Sequence, residues 1–263
     1  MDATPQRVKT MNGQWLRIKY ANAHGRDANL VVNLDRVGDT YEGLIFNWPI
    51  NPPFAGSAVP FHVAAHENPF TVEAALLAYT GQVDVPFPFI DASQYLSHVT
   101  KSPQSLARRV YLEGDWNQNR MRLSYTTDLG DTGYAVLHRM GRNQESALKA
   151  PVVSWQEVKR QLFKMPYRKH IFRGQSDFRW PLRSLFHREG RAELYRYTQQ
   201  DVAMMYRRLS GSLPQQLDIE TNDGRGAFLH LLQHHGYPTP LLDWSFSPFV
   251  AAFFCVQASQ SRC

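Results

Sequence analysis

Cysteine is nearly missing from this chain of 263 residues: there are two, Cys255 and Cys263, both close to the C-terminal end. So few exclude a disulfide-built scaffold and a cysteine-rich zinc site, and they suit a reducing compartment, so a cytoplasmic protein is expected. No run of about 18 apolar residues occurs, and no membrane-spanning helix is expected. The opening segment, MDATPQRVKTMNGQW, lacks the apolar core that a secretory signal needs. A glycine-rich phosphate loop, a Walker motif and a Gly-x-Ser-x-Gly elbow are also missing, so neither P-loop nor α/β-hydrolase chemistry is indicated. Acidic residues are missing altogether after Asp243.

What is present is charge of one sign in one half. Residues 1–150 hold 14 Lys and Arg against 14 Asp and Glu. Residues 151–263 hold 15 against 9, so the whole net charge of +6 sits there, and 12 of those 15 cations are Arg. The planar guanidinium fork matches phosphate and carboxylate in two-point contact. An anionic partner for the second half and a plain solvated basic face are both compatible with this. At 43% hydrophobic, a chain of this length can build two cores.

Residues 13–46 alternate with a period of two. Leu16, Ile18 and Tyr20 fall on one face, Arg17 and Lys19 on the other. NLVVNLDRVGDTYEGLIF predicts a strand, a turn at Gly38-Asp39 and a second strand. Prolines 49, 52, 53 and 60 break the next stretch into loops or edge strands. FTVEAALLAY, 70–79, fits a short helix or a strand. RRVYLEGDWNQNRMRLSYTT and TGYAVLHRM predict three strands, with turns at Gly114-Asp115 and Gly130-Asp131. Residues 1–145 are thus expected to form a mostly antiparallel β domain, barrel or sandwich, followed by a linker within MGRNQESALKAPVV, 140–153.

Helical signals then take over. Ser154-Trp155-Gln156-Glu157 matches a capping box, predicting a helix over about 154–164. In RAELYRYTQQDVAMMYRRL, 191–209, residues Leu194, Tyr195, Tyr197, Val202, Met205, Tyr206 and Leu209 make an apolar stripe expected to face a core. A further helix over 225–235 is closed by Gly236. A last one starts with Ser247 as N-cap and Pro248 at its first position. The chain is therefore α+β, with a helix-rich second domain over 154–263.

Two dense motifs lie in that domain. HIFRGQSDFRWPLRSLFHR, 170–188, sets Arg173 before a glycine at the end of an apolar stretch, where a charge is costly unless an anion meets it. LLQHHGYPTPLLDWSFSPFVAAFF, 231–254, joins a helix end, a glycine turn, two prolines, Asp-Trp-Ser and another helix start. Together they resemble the FRG domain family. The matching elements are Phe172-Arg173-Gly174-Gln175, Trp180-Pro181-Leu182 and Gln233-His234-His235-Gly236, then Pro238-Thr239, Leu241-Leu242-Asp243-Trp244-Ser245 and Pro248 through Ala251 to Phe254. The resemblance covers about 155–255 and departs at Pro240, where the family commonly has an arginine that would add an anion contact. It implies a protein of bacterial or phage-related type in which a defence or toxin-like role is suspected.

The order of motifs also resembles mono-ADP-ribosyltransferases, whose implied substrate is NAD. In that resemblance Arg173 clamps phosphate and ribose, and Ser245-Phe246-Ser247 braces the nicotinamide pocket. The catalytic glutamate has no counterpart, since no acid follows Asp243. The chain also stops just after an apolar helix, so a shortened chain that binds a nucleotide without turning it over is expected. Transfer or NAD cleavage would belong to a full-length form.

The residues themselves leave alternatives open. Arg173 clamps a phosphate, or pairs with Asp243 or Glu157. Gly174 allows close approach of a ligand, or makes a plain turn. Gln175 bonds a base or ribose, or is an exposed loop amide. His230-x-x-x-His234 and His62-x-x-x-His66 have helical ligand spacing, but Leu231 stands where a metalloprotease glutamate belongs and no acidic cluster accompanies either pair, so no metal is expected. His234 and His235 then serve as hydrogen-bonding pocket residues. Asp243 is a structural partner of an arginine or a catalytic base, and His235 is the other catalytic candidate. Trp180 and Trp244 stack on a base or pack in a core. Thr239, Ser245 and Ser247 complete the expected ligand-binding set. The rival readings are a nucleic-acid-binding module with steep salt dependence, and an interaction domain whose basic face meets an acidic protein.

Overall fold

The computed structural model describes residues 10–21, 25, 27–50, 56–81, 88–91, 94–95, 106–140, 145–146, 151–166, 168–213 and 216–260. Most of the expected linker, Pro52, Pro53 and Cys263 lie outside these residues. The strands are β1 (Gly13–Ala21), β2 (Asp27–Val37), β3 (Thr40–Pro49), β4 (Ser57–Ala64), β5 (Phe70–Ala75), β6 (Leu77–Tyr79), β7 (Phe89–Asp91), β8 (Arg109–Trp116), β9 (Arg120–Thr127) and β10 (Thr132–Arg139). The helices are α1 (Trp155–Leu162), α2 (Leu185–Arg188), α3 (Leu194–Arg196), α4 (Val202–Leu209), α5 (Asn222–His234) and α6 (Pro248–Gln260), with a π-helical turn over Tyr197–Asp201. The class is α+β, as expected. No described helix is long and apolar enough to cross a membrane.

The chain divides into two compact units: Met1–Gly141 with Glu189–Phe228, and Arg142–Arg188 with Leu229–Cys263. In the first, all ten strands join one antiparallel sheet in the order β5-β8-β9-β10-β1-β2-β3-β4-β6-β7. The sheet curls into a nearly closed barrel around a single core in which Trp15, Tyr41, Phe61 and Phe70 are almost fully buried. Curling puts one face of every long strand inside, which the alternating sequence requires. The β2–β3 hairpin turns at Gly38-Asp39 as predicted, with Gly38 at φ 59.

Three expectations change in detail. The ambiguous segment 70–79 is strand, split between β5 and β6. Gly114-Asp115 lies inside β8 instead of at a turn, paired to Leu123 and Arg122 of β9. Gly114 is there because a Cβ would stand 2.5 Å from the Phe70 ring and 2.6 Å from the Arg122 carbonyl oxygen. The actual turn comes after it, with the Asn117 side chain accepting from the amides of Asn119 and Arg120 at 3.0 Å each. Finally, Ile18 faces solvent while Trp15 and Tyr20 are buried. Those two are an odd number of residues apart, and they reach the same face because β1 shifts register between Arg17 and Tyr20, where Lys19 takes φ 49.

The segment after Glu189 belongs to the barrel unit because Asp35 anchors it. Asp35 lies on β2 next to the core residue Leu34 and is 3% exposed. It accepts from the amide of Ala192 at 2.7 Å, from that of Glu193 at 3.3 Å and from Arg191 Nε at 3.0 Å. Arg191 also reaches Asp201 at 2.6 Å. The expected stripe over 191–209 is only partly a core face: Tyr197 and Val202 are buried, but Leu194 and Tyr195 are 40% exposed. The extra residue of the π-helical turn rotates the two halves of the stripe out of line.

In the second unit, Ser154 caps α1 by accepting from the Glu157 amide at 3.2 Å. Glu157 does not reach back, because its carboxylate is taken by Arg160 and Gln161 on the next turn. The end of α5 closes as predicted: Gly236, at φ 80, donates to the Gln233 carbonyl and Tyr237 to that of Leu232, both at 2.9 Å. Ser247 accepts from the Val250 amide at 3.4 Å, the expected N-cap of α6. Phe253 and Phe254 of α6 remain more than half exposed.

Candidate functional site

The two sequence motifs meet at one antiparallel bridge within the second unit. Phe172 donates its amide to the Ser245 carbonyl at 2.7 Å, and Ser245 returns the bond at 2.9 Å. This pairing sets Arg173 beside the segment before Ser245, where its guanidinium donates to the main-chain carbonyl of Asp243 at 2.8 Å. Arg173 Nε is buried without a hydrogen-bond partner. Burial holds this guanidinium below the usual arginine range; the nearby Asp243 carboxylate opposes that shift and Arg188 adds to it.

The expected pairing of Arg173 with a carboxylate is not what forms. The Asp243 side chain is exposed, and its Oδ1 accepts instead from Gln233 Nε2. Gln233 Oε1 accepts in turn from the hydroxyl of Thr239 at 2.6 Å, a residue 1% exposed. The relay runs from the buried Thr239 through an amide to the surface carboxylate, and it fixes which way the Gln233 amide points. The Thr239 carbonyl accepts from the Phe186 amide at 3.3 Å, tying the relay to α2.

Gly174 has a packing reason. A Cβ there would stand 1.9 Å from the Ala251 carbonyl oxygen and 2.7 Å from Cys255 Sγ, so α6 crosses the chain where only hydrogen fits. Gln175 is half-buried and donates to the Trp180 carbonyl at 3.1 Å, while its Oε1 is buried without a partner. The alternative of an exposed loop amide is therefore not observed.

The remaining candidates are spread out. His234 and His235 are exposed and lie edge to face with ring centroids 5.4 Å apart. Trp244 is 48% exposed, so core packing does not account for it. Ser245 Oγ accepts from the Ser247 amide at 2.9 Å, and Ser247 Oγ caps α6, so both hydroxyls serve the turn into the helix. Among the described residues, no three of His, Cys, Asp and Glu gather as a metal-ligand group. Gln233 is a central residue of the arrangement that the expected ligand set omits; its fixed spacing from Thr239 and Asp243 within one motif was the available signal.

Residues 168–262 match the FRG domain family, so the chain carries an FRG domain. The match takes in both motifs and the bridge between them. No curated protein and no solved structure matches the chain.

Proposed function

We propose that the FRG domain binds NAD or another nucleotide through its phosphates, with Arg173 as the clamp. The observation that carries this is the state of that guanidinium. It is partly desolvated, its Nε is buried without a hydrogen-bond partner, and its hydrogen bond goes to a carbonyl, while the nearby Asp243 carboxylate offsets the effect of burial only in part. A phosphate supplies the missing acceptor and adds negative charge beside the desolvated guanidinium. Binding, with no bond-making step, is the role assigned to these residues. Asp243, held by Gln233 and near the clamp, would accept from a ribose hydroxyl in this reading.

The test is calorimetric titration of the chain with NAD, ADP and AMP, beside Arg173→Ala. Saturable binding that the substitution abolishes is the expected result. Absence of heat with every nucleotide overturns the reading. Binding to single-stranded DNA or RNA that weakens steeply as salt rises would favour the nucleic-acid reading instead, because each phosphate contact releases counterions.

A further inference from the structure

α1 is an amphipathic helix whose apolar stripe enters no core. Trp155, Val158, Leu162 and the capping Phe163 recur at helical spacing, yet no residue of α1 is buried. The rings at the two ends of that stripe meet α6 instead: Trp155 and Phe163 each lie 6.2 Å from the Phe249 ring, centre to centre. This contact does not cover them, since Trp155 and Phe249 are close to half exposed and Phe163 is 78% exposed. On α6, Val250, Phe253, Phe254 and Val256 are exposed as well. The charges around these rings are mostly of one sign. Residues 151–171 hold Lys159, Arg160, Lys164, Arg168 and Lys169 against Glu157 alone, and residues 244–260 hold no charged side chain. Glu157 is engaged by Arg160. Lys159 Nζ stands 6.0 Å from the centre of the Trp155 ring, and Lys164 follows Phe163 directly.

An aromatic cluster left in water forgoes the free energy that covering it would release, and such a patch marks a docking surface. We propose, independently of the nucleotide reading above, that this face docks on a lipid surface bearing anionic headgroups. Trp155, Phe163 and Phe249 enter the boundary between headgroups and acyl chains, while Lys159 and Lys164 meet the anionic headgroups. Two features choose this occupant. The excess of cations favours an anionic surface, and it opposes a second copy of this chain, because a two-fold contact would set the same cations against one another. Phe163, at its exposure, stands out from the surface instead of lining a groove. That suits insertion of a ring between lipids, whereas a partner helix is seated by a groove.

The experiment is sedimentation of the whole chain with vesicles of phosphatidylcholine alone and of phosphatidylcholine mixed with phosphatidylserine, beside Phe163→Ala and Lys164→Gln. The unaltered chain is expected to sediment with the mixed vesicles, less so as salt rises, and only weakly with phosphatidylcholine alone. Phe163→Ala weakens the binding about tenfold, the loss of one ring from the interface. Lys164→Gln weakens it about fivefold, the contribution of one basic residue near an anionic surface. Both side chains are exposed, so both variants should unfold at the midpoint of the unaltered chain. No sedimentation with the mixed vesicles, equal sedimentation with both kinds, or binding that survives Phe163→Ala unchanged overturns the proposal. In that event a solution mass that doubles with concentration and reverts in Phe163→Ala gives the face to a second copy, and capture of a synthetic acidic amphipathic peptide gives it to a protein.

Discussion

The main-chain carbonyl of Asp243 accepts from the Arg173 guanidinium at 2.8 Å, while the carboxylate of the same aspartate is held by Gln233. The two residues are 70 positions apart, and the Phe172–Ser245 bridge brings them together. The arginine is thereby positioned by a carbonyl dipole, with the Asp243 carboxylate near it but hydrogen-bonded elsewhere.

Gly174→Ala should destabilise the second unit by about 1–3 kcal/mol, the cost of forcing a methyl group into packed backbone. The clash is with the carbonyl of Ala251, which has no rotamer by which to escape. Gly211→Ala, with nothing within 4 Å of its added Cβ, is the control and should be near neutral. Denaturant unfolding of both variants checks this; equal midpoints would mean that α6 does not cross at Gly174.

Asp35→Ala should cost about 3 kcal/mol, because it strips a partner from the largely buried Arg191. It also leaves the amides of Ala192 and Glu193 without their acceptor. Asp35→Asn keeps an acceptor for those amides and should cost less. Hydrogen exchange at 192 and 193 should accelerate in the alanine variant; unchanged protection there would remove Asp35 as the anchor.

Thr239→Val keeps the shape of a nearly fully buried side chain but deletes the donor to Gln233. A loss of about 1–2 kcal/mol is expected from the unsatisfied Gln233 oxygen, together with weaker nucleotide binding as Asp243 loses its fixed partner. Stability and NAD affinity measured side by side check both parts. An unaltered affinity would detach the relay from the binding site.

Stability should also fall as pH rises through a window set by Glu193. Burial raises this carboxyl above its ordinary 4.5, although the bonds it accepts from the Arg196 and Tyr195 amides pull the other way. The folded state therefore holds the proton more tightly than the unfolded chain does. Its contribution is fully present below pH 4.5 and is lost as pH climbs through the higher folded value. Unfolding free energies measured upward from pH 4.5 should decline, and Glu193→Gln should flatten that decline; parallel slopes would assign the effect to another group.

Much of this was legible before folding because it is local. The β2–β3 hairpin, the Ser154 and Ser247 caps and the Gly236 helix end each depend on a few adjacent residues, and each forms where the residues placed it. Gly114 misled because a glycine beside an aspartate reads as a turn, whereas this one answers to a Phe70 ring 44 positions away. Lys19 misled in the opposite sense, since no residue type announces a register shift in a strand. In the site, the motif spacing pointed to Arg173, Asp243 and Thr239, but it could not say that Arg173 would take a carbonyl.

The sequence by itself determined the α+β class, most strand and helix positions, the two FRG motifs and the concentration of arginine around the first of them. Those arise from periodicity, caps and side-chain chemistry, which act over a turn or a strand. Tertiary structure alone decided that one sheet curls around a single core, that residues 189–228 pack with that sheet, and that Arg173 takes the Asp243 carbonyl while Gln233 takes the carboxylate. Such outcomes depend on which distant groups share a desolvated space, and burial, unlike propensity, is a property of the assembled fold.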